Sequence, residues 1–551
     1  MADSWWQREL TGKKLLFWIF WFSIHFGLFG YGWWKQYTDE RLAALNGLSY
    51  SVWISRGAGL SLALDGGLIL LPMCRNVVTW LRPKIKWIPL DEFQWFHRQT
   101  AYSMLFFTIV HTAAHYVNFF SVERTQVRKE TAIQIHYTQA GGITGHIMLF
   151  CMLLMYTTAH RKIRQQSFET FYYTHHLFII FMLAFYTHAT GCFVRDSVEP
   201  HSPFAGAPFW KHCIGYQNWR FTLFSGGLYI IERLYREYRS RQPTEISRIV
   251  RHPYNAMEIQ FKKPSMKYRS GQWLFIQIPA VSKYQWHPFT ITSCPADPYI
   301  SVHIRQVGDF TRQLATLLGV TSDDSEKAGL DPMGVYEIAM QNGQKLPKIR
   351  VDGPYGAPAE DVFDNEIAVL IGTGIGVTPW ASVLKSIWHR RNYPERFKPM
   401  KLRRVEFIWV CRDTTSFEWF QTLLMSLERQ STAPSSSPSA RNFITIHTYL
   451  TQRVNMDTAQ NIVLNSVGME VDPLTKLRTG TRYGRPNFKQ IFTTLREGIR
   501  DRTYLPDIQG GLKTEVGVYF CGPSVAARDI KKACESVTTD DVRFGFWKEH
   551  F

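Results

Sequence analysis

The sequence HRQTAYSMLFFTIVHTAAH at residues 97–115 has three histidines within an apolar stretch of membrane-spanning length. Histidine is costly in a lipid-spanning helix unless it faces a partner, a cavity or a metal. The fourteen residues from His97 to His111 correspond to a rise of about 21 Å and nearly four whole turns of helix. Both side chains are therefore predicted on roughly one face of a helix, at two depths in a membrane.

A second apolar stretch, HHLFIIFMLAFYTH at residues 175–188, also begins and ends with histidine. On an ideal helix, the thirteen residues from His175 to His188 leave the two side chains about 140° apart. Choosing His176 instead leaves about 120° and does not remove the misfit. A bend or an over-wound turn is therefore expected in this segment.

These positions predict two pairs of metal ligands at matching depths, His97 with His175 near the cytosol and His111 with His188 near the outer face. Two neutral imidazoles on one iron leave no open position, which suits a haem that only passes electrons. A single intramembrane histidine is more often a hydrogen-bonded packing residue. Two pairs on two helices favour ligation over packing.

Apolar segments predict six membrane-spanning helices, at residues 15–34, 51–74, 94–116, 142–159, 171–191 and 220–235. The last run is short and contains Gly226 and Gly227, but an even number keeps both ends on one side. The connecting segments on the amino-terminal side hold fourteen lysines and arginines, and those on the opposite side hold eight. Since cytoplasmic loops collect basic residues, a multi-pass protein with both termini cytosolic is predicted, in the plasma membrane or an endomembrane.

The formal net charge of +18 does not indicate nucleic-acid binding, because many of the basic residues flank the apolar runs. The eight cysteines contain no CxxC pair, so neither a zinc site nor an iron–sulfur cluster is indicated. Cys192 and Cys213 both fall in the predicted outer loop between spans five and six. They are either bridged there by a disulfide or two unpaired loop cysteines.

Short strand-like segments follow from about residue 244, with turn residues between them. Residues 271–278 alternate, HPFTITS at 287–293 forms a second apolar run, and SVHIR at 301–305 a third. Short strands at this spacing predict a small antiparallel barrel.

From residue 366 the pattern changes to strand, glycine turn and helix, with GTGIGVTP at 372–379. Glycines let the backbone approach a pyrophosphate, and the following helix start offers unpaired N–H groups. Since position 377 is valine, the turn departs from the dinucleotide fingerprint, and only general nucleotide-phosphate binding is predicted.

Two later strands end in Arg412 and in Cys521, at the edge where open α/β sheets bind ligands. Arg412 and Arg485 are expected either to clamp a ribose 2′-phosphate or to lie as solvated surface arginines.

Together these patterns resemble the NADPH oxidase family, within the wider ferric-reductase superfamily, over nearly the whole chain. The resemblance rests on the histidine spacings, the terminal aromatic residue and eight motifs: HPFTITS at 287–293, HIRQVGDFT at 303–311, DGPYG at 352–356, GTGIGVTP at 372–379, CRD at 411–413, FEWF at 417–420, YGRPNF at 483–488 and CGP at 521–523. The short amino terminus and compact length are similar to those of the fungal A-type members.

The resemblance implies a multi-domain membrane protein. A six-helix transmembrane haem bundle is expected at 1–240, an FAD-binding antiparallel β-barrel at 244–365, and an α/β NADPH-binding domain of ferredoxin-reductase type at 366–551. The implied cofactors are two b-type haems, FAD and NADPH. The implied partners are O2 as acceptor, a small membrane subunit, a cytosolic regulator and a Rac-type GTPase, with no nucleic acid.

The resemblance also assigns site residues. FAD is expected to contact His287, Pro288, Phe289, Thr290, His303, Arg305 and Thr311, and Phe551 to cover its isoalloxazine ring. NADPH is expected to contact Gly372, Thr373, Gly374, Gly376, Thr378, Pro379, Arg412, Arg485, Cys521, Gly522 and Pro523.

NADPH gives two electrons as a hydride and a haem accepts one, so FAD is needed between them. Electrons are expected to leave the outer haem for oxygen and form superoxide. Arg56, just inside span two, and His115, one turn beyond His111, are the predicted catalytic residues that stabilise the superoxide anion. The alternative for Arg56 is snorkelling or pairing with a haem propionate.

Two other functions remain possible for such a sequence. One is a ferric or cupric reductase, and the other is a membrane transporter with a nucleotide-binding tail. The transporter should lack haem, which distinguishes it from the other two.

Overall fold

The computed structural model describes residues 12–85, 88–125, 130–188, 219–253, 255–321, 335–337, 346–432, 443–452, 471–505 and 513–549. The chain divides into two compact units. One consists of Met1–Arg75 and Glu92–Arg233, and the other of Asn76–Asp91 and Leu234–Phe551.

The described residues among the first 240 are mainly helical, because long apolar runs in a membrane must satisfy their backbone hydrogen bonds internally. The helices are α1 (Gly12–Thr38), α2 (Tyr50–Leu68), α3 (Arg75–Leu81), α4 (Phe93–Arg124), α5 (Ala132–Thr138), α6 (Ala140–Ala159), α7 (Arg161–Gln166), α8 (Phe168–His175), α9 (Phe178–Thr187) and α10 (Trp219–Ser240). Apolar side chains of α4, α6 and α9 form a common core that includes Met104, Met152 and Phe181.

Four helical segments of the described residues are long and apolar enough to cross a membrane: Lys14–Thr38, Tyr50–Met73, Leu90–Arg124 and Ala140–Ala159. They overlap the first four predicted spans. The predicted sixth span is the helix α10, which becomes polar from Glu232 onward. The total of six spans therefore remains a prediction.

The predicted fifth span is broken between α8 and α9. At the break, the N–H of His176 donates to the carbonyl of Tyr173, and the N–H of Leu177 donates to that of Thr174. Each of these bonds joins residues three apart, which is the over-wound 3₁₀ pattern with about 120° of rotation per residue instead of about 100°. The expected over-wound turn in this segment is confirmed.

The predicted antiparallel strands are also confirmed. They are β1 (Glu245–His252), β2 (Ala256–Lys262), β3 (Trp273–Gln277), β4 (His287–Thr290), β5 (Ile300–Arg305), β6 (Tyr336–Glu337) and β7 (Arg350–Tyr355), followed after β5 by the helix α11 (Asp309–Leu318). They form two sheets, β5-β2-β1-β6 and β4-β3-β7, which a bridge between Ile291 and Val302 joins. The interior is apolar, with Leu274 and Ile276 of β3 fully buried in it.

The carboxy-terminal part is an α/β layer structure. Its strands are β8 (Ile367–Thr373), β9 (Arg404–Cys411), β10 (Ile444–Leu450), β11 (Arg482–Tyr483), β12 (Thr514–Cys521) and β13 (Val542–Lys548), and its helices are α12 (Thr378–Asn392), α13 (Gln421–Thr432), α14 (Phe488–Arg500) and α15 (Ser524–Val537). The strands are parallel in the order β11-β10-β9-β8-β12-β13. The order reverses between β8 and β12, and such a reversal is where open sheets bind ligands.

Candidate electron-transfer sites

Two histidine pairs of the membrane unit have the same spacing. The ring centres of His97 and His175 are 6.2 Å apart, and those of His111 and His188 are also 6.2 Å apart. An imidazole nitrogen binds a metal at about 2.0–2.1 Å and lies roughly 1.1 Å from its ring centre, so two imidazoles on opposite sides of one ion have centres about 6.2 Å apart. Both pairs therefore fit opposed ligands of a single ion.

Main-chain carbonyls orient the two histidines of α4. The Nδ1 atom of His97 lies 3.0 Å from the carbonyl oxygen of Ile69, and that of His111 lies 2.8 Å from the carbonyl oxygen of Ser55. A carbonyl only accepts, so each Nδ1 carries the hydrogen. The Nε2 lone pair of each ring is then left for a metal, which is the usual arrangement of a metal-binding histidine.

A hydroxyl group orients His188 in the same way. The Nδ1 atom of His188 lies 2.9 Å from Oγ1 of Thr144, and this hydroxyl donates its own hydrogen to the carbonyl of Ala140 at 2.6 Å. The Thr144 oxygen therefore accepts from Nδ1–H of His188. Nε2 of His188 remains available to a metal.

The structure separates His175 from its neighbour His176. The ring of His175 lies opposite His97, whereas His176 is exposed and its Nδ1 is bonded to the carbonyl of Tyr172 within its own helix. This geometry favours His175 as the ligand.

The two predicted catalytic residues lie beside the pair of His111 and His188. The ring centres of His111 and His115 are 4.5 Å apart. Arg56 is partly buried and lies close enough for its charge to act on His111, His115 and His188. A positive charge and an imidazole therefore lie next to the pair of His111 and His188.

The predicted FAD residues lie on β4, on β5 and at the start of α11. His287 stacks on Phe310, with ring centres 3.8 Å apart, and this joins β4 to the first turn of α11. The hydroxyl of Thr311 accepts from the N–H groups of Val307 and Gly308, so it caps that helix. Arg305 is exposed at the end of β5. Its charge and the helix start suit a phosphate.

The other predicted FAD residues differ in exposure. Pro288 is exposed, while Phe289 and Thr290 are partly buried on β4, which pairs with β3. His303 is buried on β5, and its Nδ1 lies 2.9 Å from the hydroxyl of Thr292.

Two glycine turns meet at the reversal of the parallel sheet. The turn Gly374–Val377 follows β8, and Thr378 and Pro379 begin α12. A Cβ atom at Gly376 would collide with the carbonyl oxygen of Cys521, and one at Gly522 would collide with the hydroxyl of Thr373. Glycine is needed at both positions because the two turns touch.

The two predicted phosphate-binding arginines lie at the same edge of the sheet. Cys411, Leu450 and Tyr483 are aligned across β9, β10 and β11. Arg412 directly follows the first of these residues and Arg485 lies two residues after the last, and both side chains are exposed. Both arginines are therefore outside the core, at the carboxyl edge of the sheet, where open α/β sheets generally bind ligands.

Near the carboxy terminus, Glu549 is buried and accepts a hydrogen bond of 2.6 Å from the N–H of Ala359. Burial raises the pKa of Glu549 to about 8, so the acid is protonated at neutral pH. Phe551, Cys192 and Cys213 lie outside the described residues.

Three family models match the chain: "Ferric reductase like transmembrane component" at residues 67–186, "FAD-binding domain" at 242–359 and "Ferric reductase NAD binding domain" at 365–535. A superoxide-generating NADPH oxidase heavy chain of Dictyostelium discoideum is 34% identical, covering 100% of this chain and 98% of that protein. NADPH oxidase 1 of Mus musculus is 32% identical over 98% and 94%, and NADPH oxidase 3 of Homo sapiens is 30% identical over 100% and 100%.

The chain belongs to the NADPH oxidase family.

As a member of this family, the chain is an oxidoreductase. It combines a transmembrane ferric-reductase-like component with FAD-binding and NAD-binding domains of ferredoxin-reductase type. Among solved structures, a ferredoxin-NADP+ reductase from Plasmodium falciparum is 13% identical, covering 55% of this chain and 95% of that chain at a TM-score of 0.29.

Sequence reasoning missed several residues that this NADPH oxidase family member uses to hold its sites. Thr144, which orients His188, has no distinguishing pattern around it. Asp352, within the DGPYG motif, accepts from Arg236 at 2.7 Å and from Arg239 at 2.6 Å. Burial raises the pKa of Asp352, but the two arginines outweigh burial and hold that pKa below its ordinary value. Asp352 therefore fastens the last turns of α10 to β7.

Proposed function

We propose that this chain moves electrons from cytosolic NADPH through FAD and two bis-histidine b-type haems to O2 on the outer face of a membrane, producing superoxide. When bound, FAD accepts the hydride and releases electrons singly, and the haems carry them across the apolar core. The observation that carries the proposal is the pair of equal 6.2 Å histidine spacings, each with an oriented Nδ1 on α4.

The proposed haem ligands are His97 with His175 at the inner level and His111 with His188 at the outer level. We propose the six-helix bundle at 1–240, the FAD-binding barrel at 244–365 and the NADPH-binding domain at 366–551. Both termini are proposed to be cytosolic, in the plasma membrane or an endomembrane. The basic inner loops support this topology.

The proposed FAD site uses β4 and the start of α11. The stacked ring of His287 fixes one wall, and Arg305 with the N-terminal N–H groups of α11 binds the pyrophosphate. Phe289, Thr290 and Thr311 complete the site, and Phe551 is proposed to cover the flavin ring. The ring of His303 supports β5 from its buried side.

The proposed NADPH site lies at the two touching glycine turns. Backbone N–H groups after Gly374 and Gly522 bind phosphate oxygens, because glycine leaves the backbone open to approach. Arg412 and Arg485 are proposed to recognise the 2′-phosphate through charge-assisted hydrogen bonds, which NADH lacks.

The proposed oxygen site is the group of Arg56 and His115 beside His111. A fixed positive charge favours the developing superoxide anion where water is excluded. A ferric or cupric reductase is the second candidate, because two matched family models are named for ferric reductases. The partly buried position of the Arg56 and His115 group favours a small uncharged acceptor such as oxygen over a hydrated metal ion.

We also propose regulation by a small membrane subunit, a cytosolic regulator and a Rac-type GTPase, and membership of the fungal A-type. These proposals rest on the resemblance of the sequence.

The test is a comparison of two outputs of the purified full-length protein while NADPH is consumed, superoxide formation and ferric-citrate reduction. Superoxide is expected to match the electrons released, and His111→Leu should abolish it while flavin reduction by NADPH continues. His176→Leu is the matched control and should retain the output. Ferric-citrate reduction without superoxide would instead establish the reductase.

A further inference from the structure

Three side chains with metal-binding atoms meet on the buried side of β5 in the barrel. His252 ends β1, Glu258 lies in β2 and His303 lies in β5, where Glu258 and His303 are directly paired across the strands. Their exposed fractions are 6%, 8% and 7%. Glu258 accepts a hydrogen bond from Gln260 at 3.1 Å, and His303 is bonded to Thr292, so His252 is the buried group of the three that requires an explanation.

The three groups converge without bonding one another. The Oε2 atom of Glu258 lies 3.7 Å from Nε2 of His252 and 3.9 Å from Nε2 of His303, which is too long for hydrogen bonds. All three ligand atoms lie within 4.8 Å of one another. Within the described part of the chain, neither ring nitrogen of His252 has a hydrogen-bond partner.

A pair of hydroxyl groups orients the ring of His303. The Nδ1 atom of His303 lies 2.9 Å from the hydroxyl of Thr292, which in turn lies 2.8 Å from the hydroxyl of Ser301. With Thr292 donating to Ser301, Nδ1 of His303 carries the hydrogen and its Nε2 lone pair is available to an ion beside Glu258.

The ring geometry fits an ion at this point. The centres of the His252 and His303 rings are 5.0 Å apart. Two imidazoles on one tetrahedral ion have ring centres about 5.1 Å apart, given a metal–nitrogen distance of about 2.0–2.1 Å. The haem pairs, by contrast, have the 6.2 Å spacing of opposed ligands.

We propose that His252, Glu258 and His303 bind a divalent transition-metal ion with nitrogen and oxygen ligands, of which Zn²⁺ is the best fit. Two histidines and one glutamate are a frequent protein ligand set for zinc, with a fourth position left for water. The ion joins β1, β2 and β5. Since Phe420 of the FEWF motif packs on His303 with ring centres 4.9 Å apart, the ion also steadies the segment that follows Arg412.

The test uses the purified full-length protein with its haems and FAD. The protein is treated with a chelator, titrated with Zn²⁺ and analysed by mass spectrometry for zinc per chain, and by X-ray absorption at the zinc edge, where haem iron does not interfere. About one zinc per chain with nitrogen and oxygen ligands at roughly 2.0–2.2 Å is expected. Glu258→Gln and His252→Asn should each weaken zinc binding by at least about tenfold while haem and FAD contents are retained.

Two controls distinguish this site from other histidines. His447 contacts Glu406 directly at 2.7 Å, so it is a histidine–glutamate pair without a gap, and His447→Asn should bind zinc as the parent does. His389→Asn tests the neighbouring group of Cys294, Asp297 and His389, and it should also leave binding unchanged. Absence of stoichiometric zinc in the parent protein would overturn the proposal. So would loss of zinc in His389→Asn with retention in both Glu258→Gln and His252→Asn.

Discussion

The loss of one haem per chain, with retention of the other, is expected in each of four single variants: His97→Leu, His111→Leu, His175→Leu and His188→Leu. Leucine occupies a similar volume but offers no lone pair, so the affected ion keeps a single ligand. The two levels are about 21 Å apart along α4, beyond the roughly 7–10 Å over which substitutions interact. Bound haem should therefore fall from about two to about one per chain, and close to none when both levels are altered.

A smaller, graded effect is expected from Thr144→Val. This change keeps the ligand His188 but removes the oxygen that accepts from its Nδ1–H at 2.9 Å. Loss of such an orienting bond typically weakens metal binding by about ten- to hundredfold. The outer haem of this variant should be lost on dilution or mild extraction while the inner haem stays bound.

The assay is haem content per chain in purified full-length protein, with low-spin absorption spectra to identify the remaining site. His176→Leu is the matched control, because His176 is adjacent to a ligand but is exposed and bonded within its own helix. Two low-spin haems in all four ligand variants would refute the assignment. Equal haem loss in His176→Leu and His175→Leu would refute the choice between those two residues.

Three further outcomes are expected. In steady-state kinetics, Arg412→Ala should raise KM for NADPH by roughly ten- to hundredfold, and adding Arg485→Ala should raise it by a similar further factor. KM for NADH should rise far less in both variants, and an equal rise for the two cofactors would exclude recognition of the 2′-phosphate. In rapid-mixing experiments, Arg56→Ala and His115→Ala should leave anaerobic haem reduction by NADPH unchanged but slow the re-oxidation of the haems when O2 is added. Unchanged re-oxidation rates in both variants would show that oxygen is reduced elsewhere. The pKa of Glu549 is about 8 in the folded protein and near 4.5 in the unfolded chain. Between these two values the folded protein binds the proton more strongly, so the contribution of Glu549 to the free energy of unfolding falls as pH rises, by at most about 1.4 kcal/mol per pH unit. The assay is the temperature at which half of the FAD is released, measured as a function of pH. Glu549→Gln should remove the decrease of this temperature with pH, and an unchanged decrease would contradict the raised pKa of Glu549.

The sequence predicts the parts of the proposed haem sites that follow from helical repeat. The spacing of His97 and His111 fixes their common face, and the misfit between His175 and His188 requires the over-wound turn that the structure has at His176. The partners of these rings were not predictable. Thr144 and the carbonyl of Ser55 reach the histidines from other helices, and helix packing leaves no periodic signal in either segment.

The same limit applies to the carboxy-terminal part. The glycine turn and the strand ends are local patterns, so Gly374 and Arg412 were found from sequence. The cluster of His252, Glu258 and His303 depends on the register of antiparallel strands, which short segments do not specify. The ion pair of Arg82 with Asp361 joins residues 279 positions apart, and only tertiary structure brings them within 2.7 Å.

The groups that accept hydrogen bonds from the Nδ1 atoms of the proposed haem ligands differ in how far a mutation can change them. Those of His97 and His111 are main-chain oxygens, which every amino acid at positions 69 and 55 would supply. The anchor of His188 is a side chain, which a single substitution can remove or weaken. A stronger acceptor on Nδ1 makes an imidazole more basic and favours oxidised iron. We therefore expect position 144 to influence the reduction potential of the haem proposed at His111 and His188, while both ligands stay unchanged.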